Sequence, residues 1–327
     1  MSYICTMKHV SILVARGAAA ISTLEGTFGG FMQANDLLVK SGRKPVFDVQ
    51  FVGITKEPQV YHRLFTLTPD VSIDEVEKTD LIIIPAVNGN MEQVIDDNKG
   101  FFPWVNFQYR NGAEVASMCV GTFILAATGL LKGKKCSTHW LAHNDFRRMF
   151  PDVTLVPDRV ITDEQGIYSS GGANSFWNLV LYLIEKHAGR DIAIQCAKIY
   201  AIEIGRHNQS PFIMFAGEMI HNDDPIKEAQ IYIEQNFMKR LTVDELADHT
   251  SLGRRTFERR FKKATSYSVI EYMQRVKIEA AKKSLETGNK QVGEIMFDIG
   301  YTDTKAFRTT FKKITGLSPI EYRSKYN

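Results

Sequence analysis

Short apolar runs alternate with longer amphipathic stretches through the first two thirds of the chain. Runs that are too short for a helix and apolar throughout are typical of buried parallel strands, and apolar residues at helical spacing predict helices. We expect strands at 9–15, 47–52, 80–85, 114–118, 135–138 and 166–170, and helices at 24–40, 120–131, 173–187 and 191–205. This βαβ order predicts an α/β, doubly wound (flavodoxin-like) parallel sheet with helices on both faces.

A different pattern fills the last third of the chain, where the sequence repeats itself. Phe257 and Phe261 lie one helical turn apart, and Phe307 and Phe311 recur fifty residues later. The other identities at this offset pair Lys262 with Lys312, Lys263 with Lys313, Thr265 with Thr315, Ser268 with Ser318, Ile270 with Ile320, Glu271 with Glu321 and Tyr272 with Tyr322. A repeat of this length indicates two copies of one supersecondary unit, here in an all-α domain.

Each copy has the pattern of a helix, a tight turn and a second helix. In the first copy, Thr242 and Glu245 form a capping-box pattern at the start of the first helix. In the second copy, Gly300 is expected in the turn, Thr302 at the N-cap of the second helix and Gly316 at its end. This is the helix-turn-helix pattern, in which the second helix enters the major groove of DNA.

The spacing of the two units, about 241–263 and 291–313, fits duplex DNA. Residues 268–286 predict one continuous helix between them, which at ~1.5 Å per residue is roughly 30 Å long. Successive major grooves on one face of B-DNA lie about 34 Å apart. We therefore expect double-stranded DNA to be the partner of both second helices.

Basic and polar residues cover the outward face of both second helices. The candidate DNA-contacting residues are Arg254, Arg255, Thr256, Glu258 and Arg259 in the first and Asp303, Thr304, Lys305, Arg308 and Thr309 in the second. With Arg260 included, the second helix of the first unit is expected to expose four arginines. Because arginine binds guanine bidentately, this helix is expected to contribute more to DNA sequence discrimination than its counterpart in the second unit. The alternative is a solvated basic face on a structural helix pair. It is less favoured because the charged positions recur in register in both copies.

Charge is divided unevenly along the chain. The 327 residues carry a net charge of +3, but residues 251–327 contain 17 Lys/Arg against 8 Asp/Glu, which leaves the first 250 residues net acidic. A basic end on an acidic body indicates a polyanion partner for that end alone.

Cysteine usage and hydropathy restrict the chemistry and the compartment. Cys5, Cys119, Cys136 and Cys196 have neither zinc-ligand nor CxxC spacing, so we expect no metal, no cofactor and no disulfide framework. Neither a signal peptide nor a membrane-spanning apolar run is apparent in the sequence. A cytoplasmic protein without a membrane partner is expected.

Loops that follow the predicted strands form the candidate ligand pocket, because ligands of doubly wound sheets bind beyond the carboxyl ends of the strands. The residues expected there are Ser22, Val87, Asn88, Cys119, Val120, His139, Gly171 and Gly172. Cys119 stands between a predicted strand and a predicted helix, where a helix N-terminus lowers the pKa of a thiol. The alternative is a small buried residue that fills the end of the strand.

Residues 224–326 resemble the DNA-binding domain of the AraC/XylS family, which carries two helix-turn-helix units on one chain. The second unit is the more specific match, through Glu294-Ile295, Ile299-Gly300-Tyr301, Ala306-Phe307-Arg308, Phe311-Lys312-Lys313 and residues 316–323. One departure is Met296, where the family usually has a small residue. The resemblance implies a sequence-specific, DNA-binding transcriptional regulator.

Residues 7–188 resemble the class I glutamine amidotransferase-like superfamily, near its PfpI branch. The match rests on residues 116–126, on Gly129-Leu130-Leu131-Lys132-Gly133 and on Thr138-His139-Trp140. Followed by an AraC-type domain, these motifs resemble one group of regulators in which the amidotransferase-like domain serves as a sensor. The resemblance therefore implies a small-molecule effector.

The sequence departs from PfpI-type enzymes at positions that their catalysis needs. Val120 stands where those enzymes carry a histidine, and Ser22 is nearest to the position of their glutamate, while Glu25 has no evident place in the pocket. A thiolate needs a base that a third group orients, and the candidate base, His139, has no such partner in the sequence. We expect no enzymatic activity. The alternatives are a cysteine-dependent amidase or peptidase with a DNA-binding tail, and an interaction scaffold, which gives no reason for the uneven charge.

The chain is expected to contain a sensor domain at 1–205, a linker at 206–222 and a DNA-binding domain at 223–327. A homodimer is expected, because related sensor domains usually dimerise and because the apolar helix predicted at 191–205 has no obvious place in the core.

Overall fold

The chain divides into two compact units, with the boundary between Gln209 and Ser210. This boundary falls inside the segment 206–222. The computed structural model describes residues 7–217, 219 and 221–327, so Cys5 lies outside the described residues.

The N-terminal unit alternates strands and helices. Its strands are β1 (Lys8–Leu13), β2 (Ala18–Ala19), β3 (Phe47–Gly53), β4 (Gln59–Tyr61), β5 (Phe65–Leu67), β6 (Val71–Ser72), β7 (Leu81–Ile84), β8 (Val87–Asn88), β9 (Glu114–Met118), β10 (Lys135–Cys136), β11 (Thr154–Leu155), β12 (Ile161–Glu164) and β13 (Ile167–Ser170). Its helices are α1 (Ile21–Lys40), α2 (Met91–Asn98), α3 (Phe102–Arg110), α4 (Thr122–Ala127), α5 (His143–Met149), α6 (Phe176–Ala188) and α7 (Arg190–Ile199).

The main sheet of this unit, over the described residues, has seven strands in the order β12-β13-β9-β7-β1-β3-β6. Strand β12 pairs antiparallel with β13, and the other neighbours pair in parallel. All four residues of the central strand β7 are buried, which is the pattern of a parallel strand covered on both faces. The α/β fold class predicted from the sequence is confirmed, with one antiparallel strand at the edge.

The structure shortens two of the predicted helices and adds two edge strands to the main sheet, β6 and β12. The strand predicted at 135–138 is β10, which pairs with β11 outside the main sheet. The helix predicted at 120–131 is a 3-10 turn, Cys119–Gly121, followed by α4, and Gly129 at φ +84 lies just beyond its end. The helix predicted at 191–205 ends at Ile199, because Ala201 adopts φ +53 and interrupts the helical path. The added edge strand β12, whose sequence is ITDE, lacks an apolar run and gave no strand signal.

Helix α7 has a place in the core, which contradicts one reason given for a dimer. Ile192, Ala193, Cys196 and Ala197 are buried in the main hydrophobic cluster of the N-terminal unit. The apolar side of the helix is therefore used within the unit and does not indicate a second copy of the chain.

The C-terminal unit is helical. Its helices are α8 (Asp224–Asn236), α9 (Val243–His249), α10 (Arg254–Thr265), α11 (Val269–Thr287), α12 (Val292–Asp298), α13 (Thr304–Thr315) and α14 (Pro319–Tyr326). The predicted connecting helix is α11, and it supplies buried residues to two hydrophobic clusters. Val269 and Tyr272 belong to the first, whereas Ile278, Ala281 and Leu285 belong to the second.

The repeat in the sequence is also a repeat of contacts. The rings of Phe261 and Tyr272 pack edge to face with their centroids 5.3 Å apart, and those of Phe311 and Tyr322 do so with centroids 5.5 Å apart. Each pair is fully buried at the centre of its own cluster. Two small cores of the same design therefore hold α10 and α13.

Candidate DNA interface and ligand site

Helices α10 and α13 each bury one face and leave the other in solvent. Phe257 and Phe261 anchor α10, and Phe307 and Phe311 anchor α13, with rings 5.6 and 5.7 Å apart within each pair. The side chains expected to contact DNA are all exposed, namely Arg254, Arg255, Thr256, Glu258, Arg259, Asp303, Thr304, Lys305, Arg308 and Thr309. Both second helices thus present polar, largely basic surfaces.

The arginines of α10 are not equivalent in their surroundings. Arg254 pairs with Asp244 at 2.8 Å and with Glu258 at 3.6 Å. Arg260 donates two hydrogen bonds, of 2.9 and 2.7 Å, to the carboxylate of Asp223, and this pairing holds the pKa of Asp223 below its usual value. Arg260 is only partly exposed and is already paired, unlike the free arginine expected, because its guanidinium ties α10 to the start of α8.

The N-cap of α13 also differs from the expectation. Asp303, not Thr302, caps this helix, since its carboxylate accepts from the backbone N–H of Ala306 at 2.6 Å. The cap favours a negative charge because the helix N-terminus carries a partial positive charge. Asp303, which we expected to contact DNA, therefore also caps the helix.

The turn regions of the two copies share backbone geometry, although their residues differ. Ser251 at φ +54 in the first turn corresponds to Gly300 at φ +75 in the second. At the ends of the second helices, Ser266 at φ +64 corresponds to Gly316 at φ +77. The first copy keeps a left-handed conformation at residues that lack glycine's freedom, so the fold imposes it there.

Loops at the carboxyl ends of the strands converge around Cys119. The backbone N–H of Cys119 donates to Ser170 Oγ at 3.3 Å, and its carbonyl oxygen accepts from Thr138 Oγ1 at 2.9 Å. Ala19, after β1, pairs with Val87, after β7. The strand-end loops expected to form a pocket are thus linked by direct hydrogen bonds.

Gly121 makes the tight turn at Cys119 possible. A Cβ atom on Gly121 would lie 2.3 Å from the carbonyl oxygen of Pro85 and 2.9 Å from that of Ile84. Cys119 itself adopts φ +54, a conformation that L-residues rarely hold. The chain therefore presses the turn directly against the end of β7.

The thiol of Cys119 lies in surroundings that disfavour a thiolate. Burial raises the pKa of Cys119 to about 11, and a hydrogen bond from the backbone of Val120 lowers it less than burial raises it. The helix after the turn, α4, has six residues, so its dipole is small. Of the two alternatives given for Cys119, these surroundings favour the small buried residue that fills the end of the strand.

We expect Cys119 to react slowly with iodoacetamide in the native protein. Since the thiolate is the reactive form, a pKa near 11 leaves on the order of 10²-fold less of it at pH 7.5 than an ordinary thiol has. Alkylation at Cys119, followed by peptide mass spectrometry, should continue to accelerate up to pH 10. The urea-unfolded protein is the control, and a native rate that levels off below pH 8 would contradict the raised pKa.

His139 and Glu25 do not form a catalytic pair with the thiol in the hydrogen bonds of the described residues. The Nδ1 atom of His139 accepts from the backbone N–H of Leu141 at 3.1 Å, and burial lowers the pKa of this histidine. Glu25 is exposed on α1 and its carboxylate lies on the side of Gly29 and Tyr200. Neither contact orients a base towards Cys119.

The other expected pocket residues differ in exposure. Ser22 and Asn88 have exposed side chains, whereas Val87 and Val120 are buried in the hydrophobic core. Gly171 and Gly172 are buried beside the end of β13. Their roles in binding remain predictions.

Gln209 is a residue of this region that the sequence did not indicate. It is fully buried, and its Nε2 atom donates to Ser137 Oγ, Thr138 O and Arg159 O, each at 3.2 Å. A Cβ atom on Gly171 would lie 2.2 Å from that Nε2 atom. Its neighbours Asn208, Ser210 and Pro211 are typical of a linker, so the sequence did not indicate that Gln209 is buried and hydrogen-bonded.

Two oxygen atoms near Gly172 are buried without a hydrogen-bond partner among the described residues. Within the described residues, Gln209 Oε1 and Ser175 Oγ have no hydrogen-bond partner. A Cβ atom on Gly172 would lie 2.8 Å from Ser175 Oγ and 3.7 Å from Gln209 Oε1, so both oxygens face the same glycine. Buried polar atoms are normally paired, so these two acceptors are exceptions in the N-terminal unit.

Comparisons with known proteins agree with both parts of the chain. Residues 246–325 match the Helix-turn-helix domain family, and residues 34–186 match the DJ-1/PfpI family. HTH-type transcriptional regulator GbdR of Pseudomonas aeruginosa is 25% identical over 258 residues, which are 79% of this chain and 69% of that protein. HTH-type transcriptional activator AarP of Providencia stuartii is 34% identical over 98 residues, 30% of this chain and 73% of that protein. A THiJ/PfpI family protein from Pseudomonas syringae shares the fold, with a TM-score of 0.51 and 16% identity over 75% of this chain and 91% of that chain.

A doubly wound α/β domain joined to a pair of helix-turn-helix units defines a class of DNA-binding transcriptional regulator. The chain belongs to the AraC-type family of helix-turn-helix regulators, and its N-terminal domain is of the DJ-1/PfpI type. None of the described helices is long and apolar enough to cross a bilayer.

Proposed function

We propose that the protein regulates transcription by reading DNA with α10 and α13 and by binding a small metabolite in its N-terminal domain. The observation that carries the DNA part is the repeated core, which presents an exposed, mainly basic second helix twice. The metabolite part rests on the convergence of the strand-end loops around Cys119. The protein is proposed to work in the cytoplasm.

Arg255 and Arg259 are the proposed base-reading residues of α10. Both are exposed, and within the described residues neither forms an ion pair or a hydrogen bond, in contrast to Arg254 and Arg260. A free guanidinium binds the O6 and N7 atoms of guanine bidentately. Lys305 on α13 is proposed to contact phosphate, which positions the protein without reading sequence.

Arg255→Ala or Arg259→Ala is expected to weaken operator binding by about 1–3 kcal/mol and to affect random DNA much less. Lys305→Ala is expected to weaken binding to both kinds of DNA more evenly. It should also reduce the slope of log binding constant against log salt concentration by the amount of about one phosphate contact. The operator is obtained by selection from a random duplex library, and titrations at several salt concentrations on operator and scrambled duplexes measure the losses. Equal losses of affinity on both duplexes for each arginine variant would show that these arginines bind DNA through charge alone and do not read its sequence.

The N-terminal domain is proposed to bind a ligand rather than to catalyse a reaction. The raised pKa of Cys119 and the contact of His139 Nδ1 with Leu141 both oppose a cysteine nucleophile. A cysteine-dependent amidase or peptidase is the second candidate, because Cys119 keeps a left-handed conformation at a strand–helix turn. Turnover of an amide substrate that disappears in Cys119→Ser would favour that candidate.

The unpaired oxygen atoms narrow the proposed ligand to one that carries a hydrogen-bond donor. Gln209 Oε1 is fully buried and accepts no hydrogen bond from the described residues, so an N–H or O–H group would remove the cost of leaving it unpaired. Metabolites with such groups are therefore the first to test on the full chain. The expected ligand stabilises the N-terminal unit by about 2.7 kcal/mol at a hundred times its dissociation constant.

Tryptophan fluorescence reports on that stabilisation, since Trp104, Trp140 and Trp177 all lie in the N-terminal unit. A broad metabolite panel that leaves the tryptophan-detected unfolding transition unchanged would oppose the sensor proposal. A homodimer remains a proposal from the resemblance alone, and sedimentation of the full chain at micromolar concentration checks it.

A further inference from the structure

Lys277 lies where helix α11 passes from one core to the other. On its N-terminal side, Tyr272 and Val276 pack with the first cluster, and on its C-terminal side Ile278 is fully buried in the second. Lys277 is half-buried at this junction, and burial lowers its pKa. A lysine partly withdrawn from solvent between two cores is stabilised by partners for its ammonium group.

Those partners belong to the turn of the second helix-turn-helix unit. The Nζ atom of Lys277 donates to the carbonyl oxygen of Ile299 at 3.0 Å and reaches that of Gly300 at 3.4 Å. It also lies 5.6 Å from the centre of the Tyr301 ring. The ammonium group therefore meets the carbonyl end of α12, where a positive charge is favoured by the helix dipole.

The same turn touches the first unit from the other side. A Cβ atom on Gly300 would lie 2.2 Å from the carbonyl oxygen of Met238, in the loop between α8 and α9. The neighbouring Phe237 packs against the second cluster although it precedes the first helix-turn-helix unit. Lys277, the loop at Met238 and the turn at Gly300 thus meet at one point.

Among the described residues that line the adjoining groove, none carries a charge opposite to that of the ammonium group. This groove, of about 200 Å³, is lined by Lys277, Gly300 and Tyr301 together with Gln274 and apolar side chains, and its other charged residues are Lys239 and Arg240. Backbone carbonyls and an aromatic ring are what balance the charge of Lys277. Because carbonyl groups are fixed in direction, the contact sets the orientation of the turn.

We propose that Lys277 is a positioning residue, which fixes the direction of α13 relative to α10 and so the spacing of the two DNA half-sites. The inference rests on the proposed reading of DNA by both helices. Helix α13 begins at Thr304, shortly after the turn that Lys277 holds. One base pair added between half-sites moves one of them by about 3.4 Å and rotates it by roughly 35°, which a rigid pair of helices does not follow.

The experiment compares duplexes that carry the selected operator with its own spacing, with one base pair added or removed, and with the first half-site alone. The wild-type protein should prefer its own spacing by about tenfold or more. Lys277→Met keeps the length of the side chain and loses its donors, and it should reduce this preference to within about threefold while binding to the single half-site stays unchanged. Lys277→Arg, which retains donors, should restore most of the preference.

The matched control is Lys283→Met, an exposed lysine of the same helix. It should behave like the wild type. If Lys277→Met loses affinity equally for every spacing and keeps the tenfold preference, Lys277 does not position α13 and the inference falls. If the wild type itself binds all spacings equally, the proposed reading by two helices fails instead, and with it the basis for this role.

A second measurement does not depend on DNA. Spin labels at exposed positions 262 and 312, on α10 and α13, report the distribution of distances between the two helices. The wild type and Lys283→Met should give one narrow distribution, and Lys277→Met a broader one. A distribution in Lys277→Met as narrow as that of the wild type would overturn the proposal.

Discussion

Replacing Gly121 by alanine is expected to destabilise the N-terminal unit by about 3 kcal/mol or more, because the new methyl group has no space. It would lie 2.3 Å from the carbonyl oxygen of Pro85, and backbone atoms of a central strand do not move aside cheaply. The tryptophan-detected unfolding transition in urea measures the effect, since all three tryptophans lie in this unit. The turn that carries Cys119 would shift together with the strand end.

Gly29→Ala is the matched control for this substitution, because Gly29 lies in helix α1 of the same unit. A Cβ atom there would make only ordinary contacts, 3.4 Å from Glu25 Oε1 and 3.6 Å from the hydroxyl of Tyr200, so alanine should not lower the tryptophan-detected midpoint. An unchanged urea midpoint in Gly121→Ala would show that the turn does not press on β7 as described.

Phe261→Ala and Phe311→Ala are each expected to lower the free energy of unfolding of the C-terminal unit by about 3–5 kcal/mol. Both rings are fully buried and meet a buried tyrosine edge to face, so each substitution removes the same contacts from equivalent cores. Domains of this kind are stable by roughly 5–15 kcal/mol, so the loss is a large fraction of the total. Circular dichroism at 222 nm during urea unfolding measures both variants.

Phe297→Ala serves as the control, because that ring is 63% exposed. Its loss should stay within about 0.5 kcal/mol. A cost for Phe261→Ala several times that for Phe311→Ala would mean that the two cores are not energetically equivalent, although their geometry is repeated.

The sequence predicted the helical part in most detail because its signal is duplicated. Phe257 and Phe261 have the spacing of a buried face, and their recurrence at Phe307 and Phe311 removes the ambiguity of a single short helix. The central parallel strand β7 was equally visible, since it is apolar throughout, whereas the two-residue parallel edge strand β6 was not predicted. The antiparallel edge strand β12 escaped because an exposed edge does not need an apolar run.

What the sequence did not indicate depends on contacts between distant residues. The partner of Arg260 is Asp223, which precedes it by 37 residues, so no helical pattern reveals that this arginine is occupied. Gln209 is similar, because its hydrogen bonds reach residues 50 to 72 positions away. The sequence left two alternatives for Cys119 for a related reason, since burial is a property of the folded core and not of the local turn.

The shared helix α11 has a consequence for recombining such regulators. Tyr272 belongs to the first core and Ile278 to the second, so the junction between interchangeable halves falls within a few residues of continuous helix. Each residue inserted there would turn one half against the other by about 100° and displace it by about 1.5 Å. In chimaeras of two such proteins, crossovers within α11 should therefore keep its number of residues. Only then do α10 and α13 keep their relative rotation and face the same side of the duplex.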